Sequence, residues 1–160
     1  MGIAARQATV EDAEELTRLR EVMISSLAPI TDDSWREPCV ESFRDALADP
    51  DGALQAFVTD APDEPGVLAA CSVGVIQQRL PSPSNPNGVT GYLLSVATDP
   101  RYRRQGHART VVTATLDWLR DCGVERIDLH ASQDAERLYR GLGFHEPRGL
   151  ALTAWLPGRS

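Results

Sequence analysis

The sequence predicts an α/β chain with the element order β-α-α-β-β-β-α-β-α-β-β. Three observations predict it. Leu16, Leu19, Met23 and Leu27, and then Val40, Phe43 and Leu47, recur at helical spacing. Ala69 to Ile76 is almost continuously apolar, as in a strand covered on both faces. An apolar run, Tyr92–Thr98, leads through an Arg/Gly turn into Ala108, Val111, Val112, Thr115 and Leu119, again at helical spacing.

Residues 3–8 form the first strand. Thr9, with Asp12 three positions later, has the spacing of a capping box that opens the first helix. Pro29 interrupts that helix, because proline cannot continue the backbone hydrogen bonding. A second helix fits 33–48. Asp49-Pro50-Asp51-Gly52 is a turn. Strands follow at 53–59 and 66–79, joined by an exposed hairpin loop, Asp60 to Gly66. The segment Pro81 to Gly88 is rich in Pro, Ser and Asn. It reads as a mobile loop and not a linker, since neither flank looks like a separate domain. Then come the Tyr92–Thr98 strand, a helix at 105–121, a strand at 126–131 and a helix at 134–141. Residues 144–155 are expected to close the fold as a hairpin or two short strands. No internal repeat is visible. The expectation is one domain over residues 1–160.

Composition narrows the function. The hydrophobic fraction of 42% and charged fraction of 24% are those of an ordinary globular protein. No apolar run is long enough for a membrane span. No basic-then-apolar leader opens the chain, so the expected location is cytoplasmic. Cys39, Cys71 and Cys122 have no metal-like spacing and read as reduced thiols, and no metal is expected. A net charge of −7 argues against nonspecific nucleic-acid binding. That charge is uneven. Residues 1–80 hold 15 Asp/Glu against 6 Arg, a net −9, whereas residues 81–160 come to +2. The acidic half either faces a cationic partner or is simply solvated.

The most informative stretch is Arg103-Arg104-Gln105-Gly106-His107-Ala108. The first turn of a helix leaves backbone N–H groups without internal acceptors, and the helix dipole favours an anion there. Gly106 has no Cβ and lets an anion approach the backbone. Arginines add charge and forked donors suited to phosphate. A phosphate-bearing ligand is expected here. It is not held by a P-loop, which needs a lysine that this chain does not contain anywhere. The G-x-G-x-x-G of a dinucleotide fold is also missing.

The stretch resembles the pyrophosphate loop of the GNAT acetyltransferases, (Q/R)-x-x-G-x-(G/A), with Arg103, Gly106 and Ala108 at its fixed positions. Farther on, Ala135 to Phe144 is similar to that family's last helix, A-x-x-L-Y-x-x-x-G-F. The detailed resemblance covers about residues 89 to 147. It implies a central twisted, mostly antiparallel sheet of about seven strands with helices on both faces. It implies acetyl-CoA as donor, with Arg103, Arg104, Gln105, Gly106, His107 and Ala108 cradling the pyrophosphate. Arg109 contacts a phosphate in the same picture. Val96, Ala97 and Thr98 match the strand that pairs with the pantetheine arm, and a backbone N–H near Val96 polarises the thioester carbonyl. Ser132 stands where many relatives carry Asn. It either bonds CoA or caps the following helix.

In the resemblance Tyr139 is the general acid that protonates the departing thiolate. A phenol, at about 10, holds its proton more firmly than a thiol at about 8.5. No acid occupies Tyr92–Thr98, so the base is either an ordered-water path or His130. The expected acceptor is a primary amine, attacking directly in a ternary complex. Acceptor contacts are expected at about 24–36, 80–90 and 148–156, which include Trp35 and Trp155. A homodimer through Leu150, Leu152, Trp155 and Leu156 is a further expectation. The alternative function is a GNAT-fold module that binds acyl-CoA without turnover.

Overall fold

The computed structural model describes residues 2–158. The chain divides between His130 and Ala131 into two compact units. The first holds β1 (Arg6–Gln7), α1 (Ala13–Leu27), α2 (Arg36–Leu47), β2 (Leu54–Asp60), β3 (Leu68–Gln78), β4 (Val89–Thr98), α3 (His107–Asp121) and β5 (Arg126–Leu129). The second holds α4 (Glu136–Gly141), preceded by a 3-10 turn at Gln133–Ala135.

The five strands form one sheet in sequence order, β1 to β5. Neighbours from β1 to β4 are antiparallel, and β5 runs parallel to β4. Loops join β2 to β3 and β3 to β4, α1 and α2 lie between β1 and β2, and the parallel β4–β5 step needs the crossover that α3 supplies.

Local chemistry explains where the helices begin and end. The Thr9 N–H donates to Asp12 Oδ2 at 2.8 Å, which anchors the entry to α1. That helix stops at Ala28, whose extended backbone is what a following proline demands. Its buried face, Ala13, Leu16 and Leu19, joins Val40, Phe43 and Leu47 of α2. Together they cover Ala56, Val58, Cys71, Val73 and Ala97 of the sheet. The other sheet face receives α3 through Val111, Val112, Thr115 and Leu119. Gly74 allows that approach, because a Cβ there would sit 2.7 Å from Thr115 Cγ2.

The mixed α/β class, the antiparallel majority and the helices on both faces agree with expectation. The strand number does not. Five strands are present among the described residues, against about seven expected. The first strand shrinks to two residues. The closing hairpin at 144–155 is absent, and residues 142–158 form neither helix nor strand. Pro147, Gly149 and Pro157 break that segment. Leu150, Leu152, Trp155 and Leu156 are 83–93% exposed, so no burial holds it extended.

Candidate active site

Two features of the sheet meet at β4. The first is a split. β4 and β5 pair from Thr90–Arg126 to Leu93–Leu129, where β5 ends while β4 runs on to Thr98. Val96, Ala97 and Thr98 lie on this continuation, with one backbone edge facing away from β3. The second is a bulge. The β3–β4 register slips between Cys71 and Val73, so Leu94 pairs with Val73 while Ala97 pairs with Cys71. Ser95 adopts φ +51 there, a left-handed conformation costly for a residue with a Cβ. Its carbonyl accepts from the Cys71 thiol at 3.2 Å, and its buried hydroxyl has no hydrogen-bond partner. Backbone strain of this kind gathers at functional sites. Nothing in the sequence marked Ser95, because neither glycine nor asparagine announces the turn.

Past Thr98 the chain turns at Asp99 and Pro100 into α3. Asp99 caps the 3-10 turn Pro100–Tyr102 by accepting the Arg101 N–H at 2.9 Å. Its other oxygen accepts from Arg18 Nη1 at 2.8 Å and Arg101 Nη2 at 3.1 Å. Arg101, with its backbone N–H and Arg18 assisting, holds this carboxyl at about 2. Arg18 is itself gripped by Glu15 and also donates to the Leu68 carbonyl. Thus α1 braces the turn that precedes the loop.

The loop residues Arg103, Arg104, Gln105 and Gly106 are exposed. Arg104 at φ +62 and Gly106 at φ +98 are both left-handed. Gly106 is the N-cap of α3. A Cβ at Gly106 would meet only Ile3 Cδ1 at 3.9 Å, so conformation and not space requires glycine. The N–H groups of His107, Ala108 and Arg109 form the first turn of a 15-residue helix, which has no acidic residue there to compete for an anion. Arg109 is exposed. The His107 ring turns inward. Its Nδ1 lies 2.9 Å from Thr59 Oγ1, and it packs edge-on to Tyr102. Burial lowers its pKa, which favours the neutral ring. Only the backbone of His107 stands at the helix start.

In the second unit, Tyr139 is buried and packs edge-on to Phe144, with ring centroids 5.8 Å apart. Burial pushes its phenol up to about 12. Ser132 holds the N-cap position of the 3-10 turn, but its side chain makes no capping bond.

A family model described as the acetyltransferase (GNAT) family matches residues 20–144. The chain belongs to the GNAT acetyltransferase family. No curated protein matches it in sequence. Solved structures share its fold at low identity. A predicted acetyltransferase of Clostridium acetobutylicum with acetyl-CoA superposes with a TM-score of 0.80 at 20% identity, covering 94% of this chain and 96% of that one. A GCN5-related N-acetyltransferase of Ralstonia eutropha gives 0.77 at 23% identity over 96% and 99% of the two chains. Glucosamine-6-phosphate N-acetyltransferase of Arabidopsis thaliana gives 0.74 at 15% identity over 98% and 100%. An aminoglycoside N-acetyltransferase in complex with CoA gives 0.72 at 16% identity over 96% and 94%.

Among the described residues, no group of His, Cys, Asp and Glu in this GNAT chain could hold a metal, and no helix is long and apolar enough to cross a membrane. Sequence reasoning missed three features around the β4–α3 passage: strained Ser95, Thr59 beside His107, and the Arg18–Asp99 pair. Of these, only the position of Asp99 directly before Pro100 carried a sequence signal, since Asx-Pro favours turns.

Proposed function

We propose that this chain transfers the acetyl group of acetyl-CoA to a primary amine by direct attack in a ternary complex. The passage from β4 to α3 carries the reading. A strand edge freed past Leu93, left-handed Arg104 and Gly106, and an acid-free helix start follow one another within one short segment. A thioester arm would extend the sheet along Val96–Thr98, and the pyrophosphate would meet the N–H groups of Arg103 to Ala108. Arg109 and the exposed Arg104 would add charge. Ser132, free of a capping bond, would donate to the CoA arm.

Tyr139 would protonate the leaving thiolate. Its phenol, pushed up to about 12, keeps its proton throughout the working range. An acyl-cysteine route is disfavoured, because burial pushes the Cys71 thiol beside the bulge up to about 12. The fold neighbours include one with acetyl-CoA, one with CoA, and two that act on amino sugars by name, which supports both donor and acceptor class. The family match runs on past residue 130, which supports a single domain over residues 1–160. Exposed Leu150, Leu152, Trp155 and Leu156 support a homodimer.

A screen of polyamines, aminoglycosides, amino acids and peptides, followed by thiol release from acetyl-CoA, tests the reading. Steady release with at least one amine is expected. Tight acetyl-CoA binding without release for any amine would replace it with a non-catalytic acyl-CoA sensor.

A further inference from the structure

Arg20 stands on the inward stripe of α1. Ala13, Leu16, Arg20, Met23 and Leu27 follow one another at spacings of three and four residues, which places them on one helix face. Ala13 and Leu16 are buried in the core, and Met23 packs against it. A charge drawn toward a core is almost always paired. The other arginines of α1 and α2 follow that rule: Arg18 holds Glu15 and Asp99, Arg36 holds Glu21, and Arg44 holds Glu14. Arg20 is half-buried, and among the described residues it has no ion-pair partner. Its neighbour in sequence, Glu21, is held by Arg36. Two residues earlier, Arg18 reaches Asp99 past the end of β4 and the Leu68 carbonyl at the start of β3. Burial raises the Cys71 thiol, farther along β3, and the Arg20 charge pulls against that rise, so the guanidinium lies near it. The same thiol donates to the Ser95 carbonyl, which puts Arg20 over the β4 bulge.

From the bulge outward, helix and sheet part. On the sheet face under α1, Cys71, Val73 and Ala97 are sealed. Their continuations on that face, Leu94 opposite Val73 and Tyr92 opposite Val75, are only half-buried. On α1, Leu16 and Leu19 are sealed, whereas Met23 is half-buried and Leu27 is 66% exposed. The result is a cleft with mainly apolar walls, a bulged strand at its inner end and one free guanidinium. We propose that Arg20 receives an anionic group of the acetyl acceptor, so that the substrate class is a small primary amine bearing a carboxylate or a phosphate. The planar guanidinium offers paired donors that match either group. Apolar walls strengthen the pairing, because they lower the local dielectric. Held by its anionic end, the acceptor directs its amine toward the bulge, where the thioester is proposed to lie. The pyrophosphate of acetyl-CoA does not compete, since its proposed seat at Arg103 to Ala108 lies beyond the end of β4. The assignment rests on the acetyl-transfer reading.

The test compares matched acceptors by thiol release: a dipeptide against its C-terminal amide, and phosphoethanolamine against ethanolamine. Wild type should use the anionic member of at least one pair with a kcat/KM about 10-fold or more above that of its neutral twin. A preference confined to the dipeptide pair assigns a carboxylate, and one confined to the phosphoethanolamine pair assigns a phosphate. Arg20→Gln should erase the preference, chiefly through KM, with acetyl-CoA Kd unchanged. Its melting temperature should not fall, because no ion pair is lost. Arg20→Lys keeps the charge without the fork and should retain part of the preference. Titration calorimetry of the same pairs against the CoA-bound protein reads the site without turnover. Equal use of both members of each pair by wild type, or a preference that survives in folded Arg20→Gln, would overturn the assignment and leave acetyl transfer standing. If no amine releases thiol, acetyl transfer falls and calorimetry decides Arg20 alone. Tighter binding of an anionic member to wild type, lost in Arg20→Gln, would then support the anion site, and equal binding would overturn it too.

Discussion

Thr59 Oγ1 and His107 Nδ1 lie 2.9 Å apart, and both residues are buried. This bond ties β2 to the first residue of α3, directly after the Gly106 turn. Thr59→Val keeps the shape and removes the hydroxyl that meets His107 Nδ1. A buried ring nitrogen left without its partner costs about 1–3 kcal/mol. Scanning calorimetry should show the melting temperature falling by roughly 2–10 °C. Acetyl-CoA affinity should fall as well, since the helix start loses its anchor. Unchanged affinity at reduced Tm would confine the bond to stability.

The same histidine sets a pH dependence. Its folded pKa lies below the unfolded value of about 6.5, so the unfolded chain binds the extra proton first. His107 should therefore contribute full stability above pH 7 and lose it as pH falls below about 6.5. Denaturant melts at pH 7.5 and 5.5 check the sign. His107→Gln should flatten the difference.

Asp99 acts at lower pH. Its folded value of about 2 lies below the unfolded value of about 3.9. Its stabilisation is present above about pH 5 and drains away as pH falls toward 2. Asp99→Asn should remove that acid limb and cost on the order of 2 kcal/mol at pH 7 through weakened bonds to Arg18 and Arg101. Urea melts of both proteins from pH 7 to 3 should converge as Asp99 becomes protonated.

At the loop, Gly106→Trp should abolish acetyl-CoA binding. The side chain would stand where the pyrophosphate is proposed, and φ +98 strains any residue with a Cβ. Arg104→Ala should weaken binding by about 1.5–3 kcal/mol, the value of a charge-assisted contact. Titration calorimetry with acetyl-CoA measures both. Full affinity in folded Gly106→Trp would move the phosphates elsewhere.

Tyr139→Phe keeps the ring against Phe144 and removes only the hydroxyl. Turnover should fall by about 10²–10⁴-fold with acetyl-CoA affinity retained. The loss should lie in kcat, because the proton moves only in the transition state. With a phenol at about 12, wild-type kcat should show no alkaline decline from Tyr139 below pH 10. Normal kcat in a folded variant would assign the residue to packing.

For assembly, sedimentation velocity at micromolar concentration should show a dimer. Leu152→Ser with Trp155→Ser should shift it to monomer, since both side chains are more than 80% exposed in the single chain. A monomeric wild type would reject the dimer.

The sequence by itself determined the elements with strong period and punctuation. The apolar stripes of α1, α2 and α3 and the continuous run of β3 fell within a few residues of their observed bounds. Gly106 was legible as a turn residue at the helix start, singled out for the space beside its backbone, whereas its left-handed φ of +98 came from the structure. The family followed from Arg103, Gly106, Ala108 and the Ala135–Phe144 motif, which are local patterns. Tertiary structure decided the rest. The C-terminal segment had apolar residues enough for strands, but a strand needs a neighbour, and no local pattern states whether one is there. The bulge at Ser95 arises from a register slip against β3, and the bonds from Thr59 to His107, Arg18 to Asp99 and Tyr92 to His130 span 38 to 81 residues. Such contacts depend on how strands and helices are stacked, so their partners share no spacing along the chain. Local periodicity specifies which face of an element is apolar, whereas only packing specifies which side chain stands across from it.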